Sequence, residues 1–169
     1  MKANKLEKQF LALYDTLQDA IFRHCYFRLY NRERAKEIAQ ESFLKTWEAL
    51  AKGQDIQNLR AFIYRVANNL IIDDTRKKKE SSLEMLQEEG FEPMDHSSPD
   101  PHIRIDAQDM VLRLQEMPEE EREVLVMRYL DEMKPKEIAE ILGLSQNVVS
   151  VRIHRALKKL HILLQKKVD

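Results

Sequence analysis

Glycine and proline are scarce in this chain, three and five in 169 residues. Sheets with tight turns draw on more of both, so the shortage argues for an all-helical protein. A single cysteine, Cys25, has no partner for an internal disulfide and no Cys-x-x-Cys mate, so nothing points to secretion or structural zinc. The neighbouring His24 adds no metal site, because adjacent helical residues point in different directions. No apolar run approaches bilayer length, and the N-terminus lacks the apolar core of a signal peptide. The carboxylates come without a glycine-rich loop, a His-x-x-x-His pair or a nucleophile motif. The expectation is a cytoplasmic protein without membrane insertion, cofactor, metal or catalytic activity.

A strong charge of either sign is also missing, since the formal net charge is −1. No global field draws the protein to nucleic acid. Charge is sorted by segment instead. Residues 60–79 hold six basic groups, among them Arg60, Arg65, Arg76 and Lys77, against Asp73 and Asp74. Residues 80–109 hold nine acidic groups and one basic one, Arg104, whereas residues 143–168 hold six Lys or Arg and no acid. Two basic regions are separated by an acidic connector.

What is plentiful is apolar residues at helical spacing. Leu6, Phe10, Leu13, Leu17, Ile21 and Tyr26 mark a first amphipathic helix over residues 4–29. Ala35, Ile38, Ala39, Phe43 and Trp47 mark a second over 32–49, and Asn58 is placed to cap a third over 59–78. These three suffice for one small domain. Pro93, Pro99, Pro101 and the surrounding acids read as a flexible linker over 80–102, with one helical turn near residues 83–86. A second domain of four helices follows over 103–169, its helix over 119–130 opened by Pro118 and by Glu119, Glu120 and Glu121 at its positive end.

The C-terminal part is the most telling. Two helices flank Gly143, a residue suited to the positive φ of a tight turn, and Ser145 is placed to cap the second. Val149, Ile153, Ala156 and Leu160 share one face of that helix and meet Ile138, Leu142 and Leu144. Gln146, Asn147, Ser150, Val151, His154 and Lys158 lie elsewhere on it, with Arg152, Arg155 and Lys159 flanking. That is a helix-turn-helix, with base edges read by the polar face and phosphates by the flanking cations. A helical hairpin with a solvated basic face is the plainer alternative.

The residues running from Met117 through Pro118 to Leu130, followed by the helix-turn-helix, resemble region 4 of bacterial sigma-70 factors of the extracytoplasmic-function (ECF) group. The stretch from Gln40 to Trp47 resembles region 2.2, and that from Phe62 to Arg76 resembles the helix of regions 2.3 and 2.4. The resemblance implies an all-α protein of two small helical domains, one for each region, joined by the acidic flexible linker. It implies a promoter-specificity subunit that binds core RNA polymerase, through the β′ clamp and the β flap, and promoter DNA, and that an anti-sigma factor restrains. By position, Glu37, Gln40, Glu41, Leu44 and Trp47 carry the polymerase contact. Arg60, Arg65, Asn68, Asn69, Arg76 and Lys77 meet the −10 element, whose melted strand needs cations for phosphate and polar groups for an unpaired base. Gln146, Asn147, Ser150, Val151, Arg152, His154, Arg155 and Lys159 meet the −35 duplex. The family often has Gly-Thr-Val-Lys-Ser-Arg in the recognition helix, where this chain has Asn147-Val148-Val149-Ser150-Val151-Arg152, which leaves the −35 sequence open. The rival reading is a stand-alone LuxR-like helix-turn-helix regulator that needs no polymerase.

Overall fold

The computed structural model describes residues 2–82, 110 and 112–166. Three long helices form the first half. Helix α1 (Lys2–Leu29) buries Leu17, Ile21 and Cys25. It stops at Tyr30, whose φ of 51° ends the helical path while its N–H bonds the Tyr26 carbonyl at 2.7 Å. Asn31 then starts α2 (Arg32–Ala51) by accepting the Arg34 N–H on its side chain at 2.9 Å. Two residues thus reverse the chain. The rings of Phe10 and Trp47, 5.2 Å apart, show that α2 runs back along α1. Asn58 caps α3 (Leu59–Ser82) through the Ala61 N–H at 3.0 Å, as its place in the sequence suggests.

Helix α3 extends three residues past Lys79, so residues 80–82, read from sequence as linker, are helical. The rest of the expected linker, the turn near residues 83–86 and the start of the second domain at 103 lie outside the described residues.

The second half begins with helical residues 112–116. Pro118 stands one residue before α4 (Glu119–Leu125). The sequence calls for one regular helix over 119–130, but its second part, Val126–Leu130, is wound as a π-helical turn. The Asp131 N–H reaches back to the Val126 carbonyl at 3.0 Å, one residue further than an α-helix requires. Helix α5 (Pro135–Leu142) follows, its start fixed by the Glu137 carboxylate accepting the Lys134 N–H at 2.7 Å. Gly143 makes the turn at φ 66°, and Ser145 caps α6 (Gln146–Gln165) through the Val148 N–H at 3.2 Å. Ile138, Ala139, Val149, Ile153 and Ala156 are buried between the last two helices.

Two separate cores are not what the chain builds. Buried apolar side chains from both halves form one continuous cluster, from Ile21, Ile38 and Ile71 through Met127 and Met133 to Val149. Helix α1 packs directly on the π-helical turn and on α4, and α3 packs on α5.

Candidate functional site

Glu37, Gln40, Glu41, Leu44 and Trp47 recur at three- and four-residue steps and so fall on one face of α2. Glu37 and Gln40 are exposed, and Leu44 is 56% exposed, high for an aliphatic side chain. Arg34 binds the Glu37 carboxylate at 2.7 Å, and Glu41 sits 3.7 Å from Lys45. Trp47 is half-buried against Phe10, so it serves the packing of α1 on α2. Phe43, four residues before it, is buried in the core.

The six residues assigned to the −10 element do not form a single surface. Arg65, Asn69 and Arg76 lie on one exposed stripe of α3, with Lys77 at its edge. Ile72, 46% exposed, shares that stripe, an apolar group that the basic pattern did not flag. Arg60 and Asn68 turn to the side that meets the second half. Arg60 donates to the Asp131 carbonyl at 3.1 Å and covers the Tyr64 ring. Asn68 departs from expectation most clearly. It is 3% exposed, and its side-chain carbonyl accepts from Arg28 at 2.8 Å. In this arrangement no base can reach it. The reason lies in its register, since Tyr64, Ala67, Asn68 and Ile71 share the buried face of α3.

Two acids follow Asn69 on the same helix. Asp73 pairs with Arg76 at 3.3 Å on the surface. Asp74 is buried and accepts from Arg34 at 2.6 Å, which ties α3 to the helix carrying Glu37.

On α6 the exposed face holds Asn147, Ser150, Val151 and His154, with Gln146 at its start. Arg155 stands exposed at the border of that face. Arg152 and Lys159 lean back towards α4, where Arg152 lies 3.9 Å from Glu120 and Lys159 lies 3.0 Å from Glu121. These pairs are at the surface, so a phosphate can displace the carboxylates at little cost.

The residues that sequence reasoning missed lie between the halves. His24, Arg28, Glu123 and Asp131 are all buried polar groups. Arg28 donates to Glu123 at 2.9 Å and Glu119 at 3.2 Å. Burial pushes the Glu123 carboxyl up from its ordinary value, and Arg28 pulls it back in part. Burial likewise pushes the Tyr30 hydroxyl up to about 12 and holds the Cys25 thiol at about 12.

Comparison with known proteins places both halves. Residues 13–81 match sigma-70 region 2, and residues 107–160 match sigma-70 region 4. The chain is 32% identical over 159 residues to the ECF RNA polymerase sigma factor SigW of Bacillus subtilis, covering 86% of this chain and 83% of that protein. It is 29% identical to the RNA polymerase sigma factor YlaC of the same organism over 147 residues, 85% of each chain. In fold it is similar to the sigma factor RpoE of Bartonella quintana, solved in complex with the anti-sigma factor NepR. The TM-score is 0.75 at 18% identity, covering 94% of this chain and 98% of that one. CnrH, solved with the cytosolic domain of CnrY, gives a TM-score of 0.71 at 22% identity, covering 95% of this chain and 90% of that one. The region 2 match weighs against a stand-alone regulator, which has no use for such a domain. The chain belongs to the sigma-70 family of RNA polymerase sigma factors, in its ECF group.

Proposed function

We propose that this chain is a dissociable promoter-specificity subunit of RNA polymerase, with no catalytic activity of its own. Its exposed α2 face, centred on Gln40 and Leu44, binds the β′ clamp of the core enzyme. The stripe of α3 formed by Arg65, Asn69 and Arg76 reads the melted −10 strand. The face of α6 formed by Asn147, Ser150, Val151 and His154 reads the −35 duplex, with Arg152, Arg155 and Lys159 on phosphates, and the β flap holds that half of the chain in place.

One observation supports this reading above the others. A single chain carries an exposed helix face with an unpaired aliphatic group at its centre and, on separate helices, two basic faces of different character. A duplex reader alone needs only the last of these. A sigma factor needs all three, because polymerase, single strand and duplex are met at once.

Its partners on this reading are core RNA polymerase, promoter DNA and an anti-sigma factor, the last because the similar sigma factor RpoE was solved in complex with the anti-sigma factor NepR. It acts in the cytoplasm, where polymerase and DNA are. Among the described residues no helix is long and apolar enough to cross a membrane. Size-exclusion chromatography with bacterial core RNA polymerase tests the reading. The protein is expected to co-elute with core, and the Gln40→Ala/Glu41→Ala variant to do so less. Duplex binding by the protein alone, without co-elution, would favour the stand-alone regulator.

A further inference from the structure

The face of α6 turned away from the core is aliphatic at its centre. At about 100° per residue, Val151 is turned roughly 160° from both Val149 and Ile153, which are buried. Val151 and Val148, one turn before it, are each 41% exposed. Asn147, Ser150 and His154 flank Val151 on one side, and Val148 and Arg155 lie on the other. Arg152 and Lys159 are drawn aside to Glu120 and Glu121, and Lys158 follows two turns later.

Neither solubility nor local structure asks for valine at these two positions. A β-branched side chain is a poorer helix former than Ala, Gln or Lys, because its χ1 is restricted against the preceding turn. The helix is seated by Val149, Ile153 and Ala156, not by Val148 or Val151. A lone exposed aliphatic group is ordinary. Two of them in the first turns of a recognition helix stand where base edges are met.

The major groove offers such groups one match. Guanine, cytosine and adenine present only donors and acceptors there, whereas thymine adds an apolar C5-methyl. Against the other bases a valine covers a polar group without pairing it, which is costly. Against thymine it takes two apolar surfaces out of water. The spacing suits a base step as well. Residues three apart on a helix have Cβ atoms about 5–6 Å apart, and successive bases on a strand rise about 3.4 Å.

We infer that the −35 element of this chain carries thymines at adjoining base pairs, read through their methyl groups by Val151 and Val148. Asn147 and His154 then supply hydrogen bonds to the base pairs beside them. The inference rests on the reading of α6 as the duplex reader, and it holds with or without polymerase.

A methyl-deletion scan tests it. Genomic fragments of the source bacterium are selected by the full chain with core RNA polymerase and, in parallel, by the full chain alone, and the element they share is sequenced. Each of its thymines is then replaced in turn by deoxyuridine, which keeps the hydrogen-bonding edge and removes only the methyl. Two adjoining thymines are expected to be sensitive, each replacement weakening wild-type binding about fourfold, the worth of one buried methyl. Val151→Ser is expected to abolish the sensitivity at one of them and Val148→Ser at the other. Both side chains are exposed, so both variants are expected to melt as the wild type does. An element without adjoining thymines, thymines indifferent to the replacement, or a sensitivity that survives in both variants would overturn the inference. Recovery of an element only without polymerase would strike the sigma reading and leave the scan on that duplex to decide this one. Recovery of none in either arm would overturn both.

Discussion

Adjacent residues in this chain do different work, and Asn68 and Asn69 are the clearest pair. Asn69 is exposed on the α3 stripe, whereas Asn68 is buried against Arg28. Asn68→Ala leaves a buried guanidinium short of an acceptor and is expected to cost about 1–3 kcal/mol of stability. Asn69→Ala is expected to leave the melting temperature unchanged and to weaken open-complex formation, so thermal melts and promoter assays of the two variants should separate cleanly. The distinction was legible in part, since Asn68 falls in step with Tyr64, Ala67 and Ile71. Its partner was not, because Arg28 is 40 residues away. Cys25 is a second residue whose chemistry is set by its surroundings. Burial holds its thiol at about 12, above the ordinary 9.0. Tyr30 and Tyr64 are raised by burial as well. Groups raised in the folded state contribute stability in full below their unfolded pKa and lose it as pH climbs through the folded value. Denaturation midpoints are therefore expected to fall between about pH 9 and 12, less steeply for Cys25→Ala. At pH 8 the native thiol should resist iodoacetamide and react readily once unfolded.

Helices are where the sequence was most informative, because an apolar stripe, a cap and a turn glycine are all local signals. Asn58, Gly143 and Ser145 occupy the positions their chemistry suggested. The failures at this scale are also local in origin. No residue marks the change from α to π winding at Val126, since Val, Met, Arg, Tyr and Leu suit either. The extra residue is explained by what it delivers, Asp131 to His24, and that contact is distant in sequence. The turn can be tested directly. A Cβ added at Gly143 meets nothing within 4 Å, so Gly143→Ala isolates the strain of φ 66° from any clash. It is expected to cost on the order of 1 kcal/mol, and Ser145→Ala about the same through the lost cap. Calorimetry of each variant gives the comparison, and an unchanged melting temperature for Gly143→Ala would mean that the turn relaxes.

For the molecule as a whole, the sequence showed two halves but not one body. Charge sorting and the two motif sets pointed to the two regions that the family comparison then matched, residues 13–81 and 107–160. The seam between the halves was hidden because its contacts join residues as far apart as His24 and Asp131, 107 positions along the chain. In sequence His24 offers only an incomplete metal site, and nothing about Asp131 distinguishes it from the surface acids around it. The described residues nonetheless share one apolar cluster, so the two binding halves constrain each other.

The most direct measurement is run-off transcription from fragmented genomic DNA of the source bacterium, with core RNA polymerase alone and with core plus this protein. Discrete new 5′ ends should appear only with the protein present. Arg152→Ala together with Arg155→Ala should reduce their yield and flatten its dependence on salt by about two phosphate contacts, while polymerase binding is retained. Identical transcripts with and without the protein would contradict the assignment of promoter-directed initiation to this chain.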